Sequence, residues 1–423
     1  MRLTSIELTD FRGFDEARFD FNPHFNVVVG ENGQGKTSLL EAVAVAINSF
    51  VAVVEGRNVR GLKKEDVRRI SYEQSVETRL LTSLRVSGEL NGVPAEWQVG
   101  KANLHWGFMQ TKDRAVKDYA KQLVGQLAED GGPHTVLPVF AYLGSGRLWT
   151  ESTEKVKLLP KGSRLQGYRY CLSAKGSFRH FAEWFKTMEL SGLQDTPAAV
   201  KAKFNAQVIK RAVAQCLEGW DDLYYSVADD MLMARRGSQQ LPFSYLSDGQ
   251  RNVIGLVADI AYRCVLLNPY LGRQATELTP GIVLIDELDL HLHPNWQKRI
   301  VANLKETFPL VQFITTSHSP FIVQSLEREE LISLDRDHIS ADPFRRSIEE
   351  VAESDMGVHD VLRSKRFQDM EQTAARYFDL IAQNDSPDKI AQVKRELDEL
   401  EAEFNDDPAY VALLRAERKA SEQ

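Results

Sequence analysis

A glycine-rich turn between an apolar run and a helical pattern constrains this chain more than any other feature. The turn begins at Gly30, and its eight residues, GENGQGKT, fit the pattern G-x-x-x-x-G-K-[ST]. The β-branched run at 27–29 predicts a buried strand, and the apolar spacing after the turn predicts a helix. Glycines let successive backbone N–H groups point at one anion where such a helix begins. The segment therefore predicts a strand, a phosphate-binding loop and a helix.

The polar residues of this turn predict the chemistry of a nucleotide site. Lys36 supplies a positive charge to the β- and γ-phosphates, and Thr37 offers a hydroxyl to Mg²⁺. ATP and Mg²⁺ are accordingly the predicted cofactors. The loop residues expected to bind ATP are Asn32, Gly33, Gly35, Lys36, Thr37 and Ser38.

A second apolar run ends in two acids. Residues 282–285 are Ile-Val-Leu-Ile and predict a fully buried strand, with Asp286 and Glu287 directly after it. Two carboxylates beside an apolar run are costly to bury unless something compensates for their charge. Mg²⁺ held through Asp286 provides that compensation, and Glu287 is then placed to accept a proton from the attacking water. The alternative is an acid pair that faces solvent at the end of the strand.

Composition and charge limit the remaining possibilities. The 423 residues, 43% hydrophobic and 26% charged, suffice for two or three domains with a sizeable core. The formal charge of −8 excludes a uniformly basic nucleic-acid coat, whereas 56–70 predicts a local basic patch or a solvated face. Three widely spaced cysteines argue against a disulfide scaffold or a cysteine zinc site. With no signal-like N-terminus and no apolar run near about 18 residues, we expect a cytoplasmic protein without membrane contact.

Two further motifs complete a recognisable order. The sequence LSDGQ precedes a long apolar helix, and His318 directly follows the apolar strand at 311–317. Together with the phosphate loop and the acid pair, these motifs resemble the ABC-type ATPases. The resemblance implies that His318 contacts the γ-phosphate and that two subunits form each site, in a homodimer or higher oligomer. The residues that it implies for binding the γ-phosphate held by a second subunit are Ser247, Gly249 and Gln250.

The opening strand narrows the resemblance. Its sequence IELTDFRGF is similar to RecF- and SMC-type ATPases, in which an F-R pair precedes the phosphate loop, and this implies that Arg12 approaches the nucleotide. More than 200 residues separate Gly30 from Ser247, which leaves room for an insertion and favours this branch over a transporter. The expected fold is α/β: an ABC-type ATPase head with a mixed sheet and flanking helices, an inserted helical subdomain and a C-terminal helical extension. The expected domains are an ATPase domain over 1–335, with an insertion at about 56–240, and a helical extension over 336–423.

The segment DELDLHLHPNWQ restricts the resemblance to a still smaller group of ATPases. It resembles ATPases related to the OLD family and the PtuA-type ATPases of the Septu and retron antiviral systems. The resemblance implies a D-loop role for His291 and His293, and a His-x-His metal pair is the alternative. The segment PVFAYLGSGRLW resembles their Q-loop region but carries no Gln there, which leaves Tyr142 or Arg147 for that role. Residues 336–423 show none of the D-x-D that a TOPRIM nuclease carries late in its sequence, so we expect an ATPase without an intrinsic nuclease.

Three functions fit these motifs. The first is an ATP-driven switch in antiphage defence that dimerises around ATP and controls a partner nuclease, of HNH type, from the same operon. The second is a RecF-type repair or recombination ATPase that binds DNA ends or gaps, which makes DNA a further candidate partner. The third is the motor subunit of a transporter. The long insertion and the segment DLHLHP count against the third.

The C-terminal region carries an unexplained apolar stripe. Residues 385–423 hold six basic and eleven acidic side chains. Apolar residues recur among them at three- and four-residue steps, as on one face of a helix. The stripe predicts either packing against the ATPase core or a second copy, or a dock for a partner such as the nuclease. Its members are Ile390, Val393, Leu397, Leu400 and Phe404.

Overall fold

The protein is described here by a computed structural model. Contacts divide the chain into two compact units, Met1–Gly357 and Val358–Gln423. The domain boundary expected at 335/336 stays a prediction. The residues that the structure describes are 1–72, 75–79, 81–102, 111–128, 134–146, 163–174, 178–194, 196–217, 219–334, 342–357, 365–382 and 386–403.

The described residues of the first unit form both strands and helices, and those of the second unit form helices. The strands are β1 (Arg2–Phe11), β2 (Phe14–Asp20), β3 (Phe25–Val29), β4 (Arg69–Tyr72), β5 (Ser75–Thr78), β6 (Leu81–Leu90), β7 (Val93–Ala102), β8 (Val139–Leu143), β9 (Asp222–Ser226), β10 (Met231–Arg236), β11 (Gln239–Pro242), β12 (Gly281–Ile285), β13 (Val311–Thr316) and β14 (Leu331–Ser333). The helices are α1 (Lys36–Glu55), α2 (Arg114–Ala128), α3 (Phe178–Gly192), α4 (Pro197–Cys216), α5 (Asp248–Leu267), α6 (Ala275–Leu278), α7 (Pro294–Thr307), α8 (Pro320–Val323), α9 (Ile348–Ser354), α10 (Lys365–Ala382) and α11 (Pro387–Glu403).

A parallel sheet with the strand order β14-β3-β13-β12-β8 forms the centre of the first unit. Its strands β3, β8, β12 and β13 are buried along their whole length, which is why each reads as a continuous apolar run. The carboxyl ends of β3, β12 and β13 lie side by side at one edge, the usual ligand edge of an open parallel sheet. The predicted α/β class with flanking helices is confirmed.

Helix α1 lies between this sheet and a second, antiparallel sheet of strand order β2-β1-β6-β7, and it contacts strands of both. It is long and apolar enough to cross a membrane, so the expectation that no apolar run approaches 18 residues was wrong. However, 72% of its most apolar window is buried inside the protein, as is usual for a core helix packed between two sheets. The cytoplasmic location stays a prediction.

The range 56–240, expected to be an insertion, contributes strands to both sheets. Strands β6 and β7 extend the antiparallel sheet, and β8 is an edge strand of the central one. The helical part that lies between β8 and α5 is the pair α3 and α4, followed by the antiparallel sheet β9–β11. The bounds expected for the insertion stay a prediction, and the strands within that range complete the two sheets of the core.

The second unit contains α10 and α11, which pack against each other. Val393 and Leu397 of the apolar stripe are buried against Met370, Ala374 and Tyr377 of α10. The partly buried members Ile390 and Leu400 border the same cluster, and Phe404 lies outside the described residues. The stripe therefore faces its own neighbouring helix, an arrangement that was not among the two alternatives considered from the sequence.

Candidate functional site

The glycine-rich loop connects β3 to α1 as predicted, and α1 begins without a side-chain cap. Its first turn carries no acidic residue. The first N–H groups of a helix lack intrahelical acceptors, and together with the helix dipole they attract an anion. Lys36 is buried and its Nζ donates to the carbonyl oxygens of Gly30 at 2.6 Å and Glu31 at 2.9 Å, so its charge lies against the loop. This geometry suits a bound phosphate.

Gly35 could not be replaced by a larger residue in this loop. Its φ of 107° lies in the region that favours glycine. A Cβ there would also come within 2.8 Å of the ring of Phe14. The strand–turn segment that contains the F-R pair therefore packs directly on the phosphate loop.

The hydroxyl and carboxylate predicted to share Mg²⁺ meet at the carboxyl edge of the central sheet. Thr37 Oγ1 donates to the Asp286 carboxylate, at 3.2 Å from Oδ1 and 3.1 Å from Oδ2. Thr316 Oγ1, at the end of β13, donates to Asp286 Oδ1 at 2.7 Å. Hydrogen bonds from two elements thus fix the orientation of the buried Asp286 carboxylate.

Glu287 and His318 follow the two neighbouring strands, β12 and β13, whose ends meet at this carboxylate. The amide of Glu287 donates to Thr316 Oγ1 at 2.7 Å, and Glu287 adopts a left-handed backbone with φ of 52°. This conformation is unusual for a residue other than glycine and turns the chain sharply after β12. Asp289 Oδ1 accepts the amide of the exposed His318 at 3.1 Å. The structure therefore brings Thr37, Asp286, Glu287 and the His318 loop to one edge, as their motifs predicted.

The LSDGQ residues form the start of α5, which they cap. Ser247 Oγ accepts the amide of Gln250, and the Gln250 side chain accepts the amide of Ser247 at 3.0 Å. This capping box satisfies two of the helix's free N–H groups. A Cβ on Gly249 would clash with the carbonyl oxygen of His291, so glycine allows the two segments to touch. The role of Ser247, Gly249 and Gln250 towards a second subunit stays a prediction.

The two histidines expected in the D-loop have different surroundings. His291 is exposed and has a left-handed backbone with φ of 60°. His293 caps α7, since its Nδ1 accepts the amide of Asn295 at 3.2 Å. Within the described ranges, three or more His, Cys, Asp or Glu side chains nowhere group closely enough to hold a metal, so the His-x-His alternative gains no further ligand there. Their D-loop role stays a prediction.

Arg12 lies in a cluster of charges beside α1. Its Nε donates to Asp66 Oδ1 at 2.9 Å, and its Nη2 is 3.7 Å from Glu41 on α1. Arg60 donates to Asp66 Oδ2 at 3.0 Å and also pairs with Glu41. The side chain of Asp66 is fully buried. Arg12 thus faces two carboxylates in this structure, and its approach to a nucleotide stays a prediction.

The charges of this cluster set the titration of Asp66. Burial alone would raise its pKa, but hydrogen bonds from Arg60, from the Lys63 amide and from Arg12 outweigh burial and lower the pKa below its ordinary value. A carboxyl with a lowered folded-state pKa stabilises the fold above its unfolded pKa, and this contribution is lost as pH falls through the folded pKa.

We therefore expect Asp66→Asn to lower the free energy of unfolding by about 3 kcal/mol at pH 7, because Glu41 is then left to balance the charges of both Arg12 and Arg60. The loss relative to wild type should stay constant from pH 8 to 5 and shrink only below about pH 4. Urea unfolding at several pH values measures it. Asp20→Asn, a carboxylate that is 72% exposed, is the matched control and should change stability little. If the difference in the free energy of unfolding between Asp66→Asn and wild type changes between pH 6 and 8, this account is wrong.

Tyr142 occupies the Q-loop position at the end of β8. The side chain is buried. Burial and the nearby carboxylates of Glu41 and Asp286 raise the pKa of Tyr142, so its hydroxyl stays neutral. Arg147, the other candidate for the Q-loop role, lies outside the described residues. The assignment of that role stays a prediction.

The donor set at this edge fits a magnesium ion. Mg²⁺ takes hard oxygen ligands, one or two carboxylates and substrate phosphates among them. Asp286 supplies a buried carboxylate, and the Thr37 hydroxyl lies within hydrogen-bond distance of it. The residues expected to hold the ion are therefore those that the structure brings together.

Two family models match the chain. The one described as "AAA domain" matches residues 5–195, and the one described as "AAA domain, putative AbiEii toxin, Type IV TA system" matches residues 199–324. The first match contains the phosphate loop, and the second contains LSDGQ, the acid pair and His318. The chain therefore carries AAA-family ATPase domains.

Individual relatives of the chain indicate more closely which AAA-family ATPases it resembles. The chain is 25% identical over 399 residues to a probable ATPase of retron Ec83 from Escherichia coli, covering 78% of this chain and 71% of that protein. It is 27% identical over 357 residues to the Septu protein PtuA from Bacillus thuringiensis, covering 82% and 79%. A RecF DNA replication and repair protein from Lactococcus lactis subsp. lactis is 31% identical over 127 residues, covering 29% and 31%. The predicted resemblance to retron and Septu PtuA ATPases is confirmed.

A solved structure of the SMC head bound to the C-winged helix domain of ScpA matches with a TM-score of 0.49 at 12% identity, covering 77% of this chain and 93% of that chain.

Sequence reasoning missed two residues that hold the site together. Thr316 bridges Asp286 and Glu287, and Asp289 holds the His318 loop. Thr316 had a signal, because a hydroxyl at the end of a buried strand beside the acid-bearing strand lies close to those acids in a parallel sheet. Asp289 had the same kind of signal, since it follows the acid-bearing strand β12 and its partners Ser317 and His318 follow the neighbouring strand β13.

Proposed function

We propose that this chain is the ATP-binding and ATP-hydrolysing subunit of an antiphage defence complex. The observation that carries the proposal is the meeting of the phosphate loop with Asp286 and Glu287 at one sheet edge. Retron and Septu relatives that match about four-fifths of the chain support the defence context. The AAA family matches support nucleotide binding.

Each residue of the site has a separate role in ATP hydrolysis. Lys36 and the uncapped N–H groups of α1 bind the phosphates. Thr37 and Asp286 would hold Mg²⁺, and the bound ion would supply positive charge towards the phosphate oxygens. Glu287 orients the attacking water and takes its proton, while His318 donates to the γ-phosphate. Loss of the γ-phosphate then removes the contacts that distinguish the ATP state.

The LSDGQ edge of α5 completes the site of a second copy. Ser247 is exposed at a helix start, where the dipole and N–H groups favour an anion. In the head-to-tail arrangement that the ABC resemblance implies, two chains close around two ATP molecules. ATP therefore acts as the link between the chains, and hydrolysis releases it.

Mixing two defective chains tests this arrangement. Ser247→Asp retains a good helix cap but places a carboxylate against the partner's γ-phosphate, so the fold should survive and the composite site should not. Neither Ser247→Asp nor Lys36→Ala should hydrolyse ATP alone. A one-to-one mixture should recover about a quarter of the wild-type rate, since about half of its dimers are mixed and each holds one intact site. The steady-state rate of phosphate release measures this recovery.

Ser247→Asn serves as the control for the cap, because it keeps the capping oxygen without adding charge. Formation of mixed dimers is checked by pull-down with two different tags. If mixed dimers form and hydrolyse ATP no faster than either parent, the two-chain site is wrong.

The ATP state would control a separate nuclease. The experiment is co-purification with the products of neighbouring genes, an HNH-type nuclease among them, followed by a nuclease assay with and without ATP. We expect the nuclease to bind this chain and its activity to depend on ATP, and we expect Lys36→Ala to abolish that dependence and the protection against phage. A nuclease that neither binds the chain nor responds to ATP would overturn the proposal.

A RecF-like role in DNA repair is the second candidate, favoured by the 31% identity over 127 residues. That match covers 29% of the chain, whereas the defence relatives cover most of it. A RecF-like protein should bind gapped or single-end DNA in the presence of ATP, and its loss should sensitise cells to DNA damage rather than to phage.

A further inference from the structure

A carboxylate just beyond the acid pair holds the loop that carries His318. Asp289 Oδ1 accepts two hydrogen bonds, from Ser317 Oγ at 2.7 Å and from the amide of His318 at 3.1 Å. Ser317 Oγ in turn accepts the amide of Ser319 at 3.0 Å. One carboxylate oxygen therefore organises the backbone on both sides of an exposed histidine that follows a buried strand.

The segment that carries Asp289 is itself anchored at both ends. On one side, the amide of Leu288 donates to the Thr316 carbonyl oxygen at 2.8 Å. On the other side, the Asn252 side chain of α5 donates to the Leu290 carbonyl oxygen at 2.6 Å. The Gln297 side chain donates to the Leu292 carbonyl oxygen at 3.0 Å. These bonds leave the Asp289 carboxylate little freedom to move away from the His318 loop.

Hydrogen bonds to a carboxylate are stronger than those between neutral groups, and an aligned catalytic group loses much of its effect when it moves by about 1 Å. We propose that Asp289 is a positioning residue that fixes His318 for ATP hydrolysis and ties it to the start of α5 through Leu290. This inference rests on the proposed function, in which His318 acts on the γ-phosphate. Asp289 therefore acts through the loop that carries His318.

The first test uses the nucleotide-free protein. Hydrogen exchange of the His318 amide should be roughly tenfold faster in Asp289→Ala than in wild type, because the amide loses a charged acceptor. Asp289→Asn keeps an acceptor oxygen and should fall between the two. Ser317→Ala removes one donor only and should give a smaller increase. Glu329→Gln, an exposed carboxylate elsewhere, is the matched control and should leave exchange unchanged.

The second test uses the kinetics of hydrolysis. Asp289→Ala should lower kcat on the order of tenfold to a hundredfold and leave the ATP affinity nearly unchanged, because the phosphate loop keeps its contacts. Asp289→Asn should restore part of kcat. In a chain that already carries His318→Ala, the second change Asp289→Ala should have little further effect, since a residue that acts through His318 has nothing left to position.

The outcomes separate this inference from the proposed function. If wild type does not hydrolyse ATP, the proposed function fails. If wild type hydrolyses ATP and Asp289→Ala keeps its kcat and its His318 exchange rate, the positioning role is wrong and the proposed function stands. If the losses of kcat from His318→Ala and Asp289→Ala are fully additive in the double variant, the positioning role is also wrong. A lower kcat, faster exchange of the His318 amide and non-additive losses of kcat in the double variant together support the positioning role.

Discussion

Lys36→Ala is expected to weaken ATP binding by tens to thousands of fold, the equivalent of about 2–5 kcal/mol. Lys36 is only 8% exposed, so its ammonium meets the phosphates in a water-poor site where a charge contact is worth more than in solution. The same Nζ already donates to Gly30 and Glu31, which keeps the charge within the loop. Isothermal titration calorimetry with ATP and Mg²⁺ measures the loss.

A second variant separates loss of charge from loss of loop structure. Lys36→Met keeps most of the side-chain stem and removes the ammonium, so it should lose as much affinity as Lys36→Ala while melting near the wild-type temperature. Lys117→Ala, a lysine that is 44% exposed on α2, is the control and should bind ATP as wild type does. Wild-type affinity in both Lys36 variants would remove the basis of the phosphate-loop assignment.

The sequence predicted those parts of the site that depend on local patterns. The loop 30–37 combines a β-branched strand, glycines and an apolar helix within one continuous stretch, so its fold follows from neighbouring residues alone. The same holds for Asp286 and Glu287, which follow a run of four apolar residues. Because the carboxyl ends of parallel strands share an edge, the meeting of Thr37 with Asp286 also followed from these patterns.

The parts that could not be predicted depend on contacts between distant segments. Asp66 pairs with Arg12 across 54 positions, and in the sequence it is one acid within a basic, loop-like stretch. The stripe on α11 showed that Leu397 must be buried, but periodicity does not say which surface covers it. In the structure α10 covers it, which leaves less reason to place a partner on that stripe.

Capping accounts for a further ambiguity. Ser247 and His293 both stand at helix starts and both accept a backbone amide there. A capping residue and a nucleotide-binding residue require the same position, so the sequence pattern fits either role. At Ser247 the two roles are compatible, because the helix N-terminus that it caps is also the proposed anion site. At His293 the bond to Asn295 explains the residue without any D-loop contact.

Glu287→Gln is expected to slow ATP hydrolysis by roughly 100- to 10,000-fold, the range that a positioned general base contributes. Glutamine has the same size and the same backbone demands, so the left-handed conformation with φ of 52° should persist. The contacts proposed for Lys36, Thr37 and Asp286 with the phosphates and Mg²⁺ would be untouched, so ATP affinity should stay close to that of wild type. Phosphate release and calorimetry measure the two quantities separately.

Retained binding without hydrolysis has a consequence for assembly. If ATP links two chains, Glu287→Gln should accumulate as an ATP-bound dimer, which light scattering after size exclusion detects in the presence of ATP and Mg²⁺. Asp286→Asn is the contrasting variant, because it removes the carboxylate expected to hold Mg²⁺, and it should lose ATP-dependent dimers as well as hydrolysis. Hydrolysis at the wild-type rate in Glu287→Gln would show that another group takes the proton. If the variant binds ATP and stays monomeric, nucleotide binding is not what brings two chains together.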